Sequence, residues 1–290
     1  MKLHYWRGRG SVKNFGDELN PWLWPKILGE ILDDNEDEIF VGIGTILNDT
    51  IPRVRQTVVM GAGIGYGPVP PIDDSWKFYA VRGPLTARGL HLPMNLAITD
   101  PAILTCRYFD LGSRRKTSKV AFMPHWRNAH EGWSRVCEGL NFSLINPRDS
   151  VDTILRAISE TELLLTEAMH GATVADAFRI PWIPVCSSTS DVLAFKWRDW
   201  CASMELEYQP YFIQGPWRPA AEKGDIRANL RASVKRVLGP LYRRMIESQL
   251  SRIVRDTRPC LSADSVLDDQ LHRMEAAVDQ FRNDQARRNT

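Results

Sequence analysis

No stretch of this 290-residue sequence approaches the roughly 18 uninterrupted apolar residues that a membrane-spanning helix requires. The opening MKLHYWRGRG lacks the apolar core of a signal peptide. A cytoplasmic protein is therefore expected. The five cysteines, Cys106, Cys137, Cys186, Cys201 and Cys260, are odd in number and scattered, with no CxxC pair and no histidine cluster at metal-ligand spacing. That pattern points to reduced thiols and gives no reason to expect a metal. GxxxxGK[ST] is missing, and no GxGxxG is followed by the rest of a dinucleotide fingerprint, so nucleoside-triphosphate and nicotinamide chemistry lack support. No basic-aromatic arrangement is specific enough for nucleic acid.

What is present is the balance of a globular protein, with 43% apolar and 25% charged residues, enough chain for two ordinary domains. Short β-rich runs alternate with helical patterns. The first series is Lys2 to Trp6, Glu38 to Gly42, Thr57 to Gly61 and Trp76 to Val81. The second is Lys119 to Pro124, Phe142 to Asn146, Glu162 to Thr166 and Trp182 to Cys186. Such alternation predicts an α/β fold with parallel sheets, in two Rossmann-like halves facing across a cleft where a ligand would sit. The polar, basic LGSRRKTS between Cys106 and Ser118 marks the break, giving domains at 1–110 and 118–217.

From residue 218 to 290 the chain reads as a helical tail. Ile226, Leu230, Val234, Val237, Leu241 and Met245 fall near helical spacing, with Gly239-Pro240 as an expected kink or break. Leu267, Leu271, Met274, Val278 and Phe281 follow as a narrow apolar seam. The overall charge of +2 divides into −3 before Arg218 and +5 from Arg218 onward. The tail then packs on the core or a second subunit, or its basic surface rests peripherally on anionic lipid of the inner membrane.

Several segments can carry chemistry, each with a plainer structural account beside it. In Asn14-Phe15-Gly16-Asp17-Glu18, after the first strand, Asn14, Asp17 and Glu18 suit sugar hydroxyls; Asn and Asp also simply cap helices. Gly63 and Gly65 lie in GAGIGYG, where glycines let a backbone approach a ligand or merely turn. Arg82, between a strand and Pro84, places a guanidinium fork beside a helix N-terminus, a place for phosphate or carboxylate or for a salt bridge. His125 ends the first strand of the second half. In LLLTEAMHGATVADA, His170 stands where a buried strand gives way to a helix, and imidazole both gives and takes protons near neutrality. Glu167 either orients that histidine or complements a helix dipole. In FKWRDW, Lys196 and Arg198 suit an anion, while Trp197 and Trp200 either stack on a sugar or join the core.

Taken in order, NFGDELN, GIGTIL, GAGIGYG, YAVRGPLTAR, TDPA, MPHW and LLLTEAMHGATVADAFRIPW resemble the landmarks of the polysaccharide pyruvyltransferase family, nearest to its branch acting on bacterial exopolysaccharides such as succinoglycan. The similarity spans about residues 3 to 200. It implies a GT-B-like fold, phosphoenolpyruvate as donor substrate with no other cofactor, and a sugar acceptor, in places lipid-linked, that receives a pyruvate ketal. By position, Arg82 would grip the donor and His170 would be the catalytic acid. Many relatives carry arginine two residues before that histidine, where this chain has Ala168; Lys196, Arg198 or His125 would then substitute. Two other classes fit the same residues: a GT-B glycosyltransferase using a nucleotide sugar, and a non-catalytic sugar-binding member of a polysaccharide assembly complex. Any homo-oligomer lies beyond the sequence.

Overall fold

The computed structural model describes residues 1–8, 13–112, 115–187, 191–216 and 226–288, with side chains of 191–193 and 226–237 excepted. Among these residues the strands form two wholly parallel sheets. In the first, β1 (Lys2–His4), β2 (Glu38–Val41), β3 (Gln56–Met60) and β4 (Trp76–Ala80) stand in chain order. The second comprises β5 (Ser118–Met123), β6 (Ser143–Leu144), β7 (Thr161–Thr166), β8 (Trp182–Cys186) and β9 (Tyr211–Phe212), in the order β6-β5-β7-β8-β9. Helices fill the connections: α1 (Phe15–Leu28), α2 (Pro84–Gly89), α3 (Thr105–Tyr108), α4 (Glu131–Leu140), α5 (Val151–Ser159), α6 (Met169–Ala177) and α7 (Asp191–Ser203). The tail holds α8 (Ile226–Asp256) and α9 (Asp264–Arg288).

These strands are apolar on both faces because helices cover both sides of a parallel sheet. Ile39 and Val41 of β2 pack with Leu47, Ile51 and Leu90, whereas Phe40 between them turns to the opposite face. In the second sheet Phe122, Leu165, Ile183 and Val185 meet Trp133 of α4 and Ile246, Leu250 and Ile253 of α8. One continuous buried cluster joins the remaining faces. It runs from Phe40 and Val58 through Leu19, Leu23 and Trp24 of α1 to Ile154 of α5, Val174 of α6 and Trp200 of α7.

The structure shortens some expected elements. The run beginning at Lys2 is a strand only to His4, so Tyr5 and Trp6 leave the sheet at its C-terminal end. The run at Phe142 reduces to two residues, and the edge strand β9 carries no sequence signal of its own. Residues 113 and 114 of the expected interdomain break, and Trp217 and Arg218, lie outside the described residues.

In the tail, Gly239-Pro240 does not interrupt α8. A missing N–H removes one hydrogen bond from a 31-residue helix, and Ile246, Leu250 and Ile253 anchor the turns that follow into the core. The apolar row read at near-helical spacing does not pack inward where its side chains are described. Leu241 and Met245 are exposed, and the side chains of Ile226, Leu230, Val234 and Val237 lie outside the described residues. The α9 seam is buried throughout, from Leu267 to Phe281. Phe281 packs against Phe40 and, edge-on, Tyr79, so the helix closes one face of the first sheet.

Replacing Phe281 by Ala should therefore destabilise the fold by about 3–5 kcal/mol, the usual cost of deleting a buried phenyl ring. Urea denaturation followed by circular dichroism measures it. A change under about 1 kcal/mol would mean that α9 is dispensable to the first sheet.

Candidate functional site

In the second sheet the chain leaves β5 to form β6 on one side, then returns to place β7 on the other. Neighbouring loops therefore diverge above the C-terminal ends of β5 and β7, and such a switch point opens a crevice in parallel sheets. His125 lies in the loop after β5 and His170 at the start of α6 after β7. Both line a cavity of about 520 Å³, within the range of small-molecule sites. The opposite wall comes from the first sheet: Trp6 and Arg7 after β1, Asn14 to Asp17 entering α1, and Gly44 to Ile46 after β2.

His170 is held from two sides. Its Nε2 lies 3.2 Å from a carboxylate oxygen of Asp100. Asp100 itself is wholly buried and accepts from the backbone N–H of Ala102 at 3.0 Å, capping the short 3₁₀ turn Pro101–Leu104. Burial alone would raise the Asp100 pKa, but His170, the Ala102 N–H and the positive charge of Arg82 outweigh it and leave the carboxyl below its usual range. On the other side Nδ1 of His170 lies over Gly16, in the space where any side chain would begin. A glycine at the start of α1 is thus a requirement of close approach by the imidazole.

The carboxylate beside His170 is therefore Asp100, and the orienting role expected of Glu167 is not what the geometry shows. Glu167 accepts from the backbone N–H of His125 at 3.0 Å and of Ser187 at 2.8 Å. It ties together the ends of β5 and β8, bracing the crevice from below. Its own carboxylate is absent from the cavity lining.

Arg82 also differs from the open fork expected of it. The side chain is fully buried, and its Nε donates to Asp199 at 3.0 Å. One terminal nitrogen donates to the Thr45 hydroxyl at 2.6 Å and the other to the Ile64 carbonyl at 2.9 Å. Gly63 belongs to this network, because the guanidinium occupies the place of a side chain there. Arg82 reaches the cavity through Thr45, a lining residue, and does not face it directly. Asp199 completes the cluster by accepting from the N–H groups of Leu85 and Thr86 and from the Thr86 hydroxyl, so one α7 carboxylate closes the N-terminus of α2.

Of the remaining expected residues, Asn14, Asp17, His125 and Lys196 line the cavity, and Glu18, Gly65 and Arg198 do not. Glu18 points away because successive helical residues diverge by about 100° around α1. Arg198 is exposed, two positions beyond Lys196 on α7 and so on another helical face. Trp197 and Trp200 are core residues packed with Trp182.

The polar groups in the cavity are shifted by their surroundings. Burial, with the positive charges of Lys196 and Arg127, lowers the His125 pKa to about 3, so its ring is neutral at working pH. Burial and the nearby Arg82 and Arg127 bring Lys196 down to about 8, against the opposing pull of Asp17 and Asp100. Asp17 is raised by burial, countered by Asn14, His170 and Lys196. A half-buried lysine, two arginines, a carboxylate-paired histidine and a neutral histidine thus share one cavity. It can bind an anion and move a proton.

No family model matches the chain. It is 38% identical over 214 residues to the succinoglycan biosynthesis protein ExoV of Rhizobium meliloti (strain 1021), an alignment covering 72% of this chain and 67% of that protein. The chain belongs to the ExoV family. The transferase and exopolysaccharide character expected from the sequence is supported to that extent. Among the described residues no helix is long and apolar enough to cross a membrane.

In this member of the ExoV family, sequence reasoning missed Trp6, Arg7, Thr45, Tyr66 and Arg127 as cavity residues and Asp199 as the anchor of Arg82. Arg127 follows the recognised MPHW directly, and Trp6 was assigned to a strand; both sit where a strand has just ended. Asp100 was visible within TDPA but without a partner. Its pairing spans 70 residues of sequence.

Asp199→Ala should cost about 3–5 kcal/mol, because it strands a buried guanidinium and uncaps α2. Urea melts of this variant against Arg198→Ala, an exposed neighbour, test the assignment. Equal stability of the two would remove the network from the site's foundations.

Proposed function

We propose that this chain transfers the enolpyruvyl group of phosphoenolpyruvate onto two hydroxyls of one sugar in a bacterial exopolysaccharide or its lipid-linked precursor, forming a pyruvate ketal. The observation that carries the reading is the convergence of the His170–Asp100 pair and Lys196 in a cavity at the sheet's switch point. Membership of the ExoV family and the ordered motifs give it context.

Phosphoenolpyruvate carries a carboxylate and a phosphate flanking C2, so cations must hold both ends before a hydroxyl can reach that carbon. Lys196 takes one end, with Arg7 and Arg127 at the same cavity. These cations fill the place of the family arginine that this chain replaces by Ala168, itself a lining residue. Arg82 acts indirectly, by fixing Thr45 and the backbone at Ile64.

His170 delivers a proton to C3, with its ring held through Nε2 by Asp100. The ionised Asp100 holds the ring in place and complements its charge while it carries two protons. Protonated at C3, the donor becomes electrophilic at C2. A sugar hydroxyl adds there and returns its proton to His170, the C2–O bond to phosphate breaks, and phosphate leaves. The second hydroxyl then adds at C2, passes its proton to the departing phosphate and closes the ketal. Asn14 and Asp17 face the same space with groups suited to the acceptor's hydroxyls. The two sheets on either side of the cavity would act as the paired halves of a GT-B-like enzyme.

Titration calorimetry with phosphoenolpyruvate, using UDP-glucose and pyruvate as controls, tests the donor. Selective binding of phosphoenolpyruvate is expected; a response to UDP-glucose alone would overturn the reading. Lys196→Met should weaken that binding at least tenfold, the scale of one charge-assisted contact of about 1.5–3 kcal/mol. Because Lys196 is cationic below about pH 8, affinity should fall as pH rises through that region, later in the complex because a bound anion favours the proton. This inflection should vanish in Lys196→Met. His170→Ala should reduce turnover by roughly a hundredfold or more with binding retained. Asp100→Asn should lower kcat more than it alters KM, and unchanged kcat would remove Asp100 from the mechanism.

A further inference from the structure

The 31 residues of α8 hold eight lysines and arginines against two acids, a net charge of +6, so the rest of the +2 chain sums to −4. One face of the helix is accounted for, because Ile246, Leu250 and Ile253 are buried against the second sheet. At about 100° per residue, Leu238, Leu241 and Met245 fall within roughly 60° of one another and turn roughly 120° away from that buried face. All three are exposed, Leu241 by 62%.

Their exposure is not isolated. Of the ten large apolar side chains exposed among the described residues, five lie here, because Tyr211 and Phe212 of the edge strand β9 join the three on α8. Tyr211 and Phe212 line a groove with Arg252 and Ile253 of that helix. The Tyr242 hydroxyl donates at 3.3 Å to the carbonyl of Gly215, just beyond β9. The turns of α8 that carry Leu238, Leu241 and Met245 therefore stand at the C-terminal end of the second sheet, the end at which the cavity lies. Arg243 and Arg255 are matched by Glu247 at 3.2 Å and Asp256 at 2.8 Å, whereas the exposed Arg244 and Arg252 form no ion pair among the described residues.

An apolar strip edged by arginines suits the surface of an anionic bilayer, where aliphatic and aromatic side chains enter the acyl boundary while guanidiniums meet phosphate. We propose that the face formed by α8 and β9 docks on anionic phospholipid. The helix lies in the plane of the membrane surface, since it is not apolar enough to cross. Cover by a second copy of the chain is disfavoured by the same charge, because a twofold contact would set one +6 helix against another. Docking through this face holds the cavity end of the second sheet near the bilayer. The assignment does not depend on which group the cavity transfers.

Vesicle flotation tests it, comparing phosphatidylcholine alone with phosphatidylcholine containing about a third phosphatidylglycerol. Wild-type protein should float with the anionic vesicles and stay behind with the neutral ones, and the bound fraction should fall as salt is raised. Leu241→Asp combined with Met245→Asp should weaken binding at least tenfold. Arg244→Ala combined with Arg252→Ala should weaken it roughly twentyfold, about fivefold for each arginine. Both double variants should melt as wild type does, since every altered side chain is exposed; the arginine pair decides the matter if the aspartates disturb the fold. No flotation with anionic vesicles, equal flotation with neutral ones, or unchanged binding in the variants would each overturn the assignment. So would a dimer in analytical ultracentrifugation that Leu241→Asp with Met245→Asp dissociates, which would give this face to a second copy.

Discussion

A single buried carboxylate holds the architecture of the site together. Asp199 projects from α7, yet its side chain bonds to groups between Arg82 and Thr86, beside the first sheet. A carboxylate with no exposure is tolerated only where donors surround it, and here a guanidinium, two backbone N–H groups and a hydroxyl do so. Through Arg82 the same network fixes Thr45 and the backbone at Ile64. The cavity wall contributed by the first sheet is thereby referenced to a helix of the second.

Glu167 plays the corresponding part within the second sheet, spreading its two oxygens over the ends of β5 and β8. Buried acids thus act as braces at two levels, and neither faces the cavity. The groups that do face it are held by these braces. His125 hangs from the N–H bond to Glu167, Lys196 lies three residues before Asp199 on α7, and His170 is seated between Asp100 and Gly16. Conserving geometry in this way lets small loops present charged groups without the rotamer freedom that would blur a proton transfer.

The strands were the most legible part of the sequence, because parallel strands buried on both faces announce themselves as short apolar runs between turn residues. His170 was legible for the same reason, standing at a junction of strand and helix. Arg82 was legible as important but not as buried, since a guanidinium at a strand end looks alike whether it faces a ligand or an acid 117 residues away. Trp6 was read only as part of a strand, and Trp197 and Trp200 were left between a sugar face and the core, where the structure places them. Local composition counts aromatic rings but does not say which ones the tertiary fold leaves uncovered. The partnership of Asp100 with His170, and of Glu167 with two backbone groups, depends on register between distant loops that no local pattern encodes.

The position of α9 bears on how the chain is made. Phe281 fills the space beside Phe40 and Tyr79, and Tyr79 donates to Asp284 of the same helix. The first sheet is synthesised before α9, yet that later helix closes one of its faces. At about 5–20 residues per second, the ribosome needs on the order of ten seconds or more between finishing β4 and finishing α9. Through that interval an apolar sheet face is exposed in the nascent chain, so the first sheet needs the cover of a chaperone until α9 arrives.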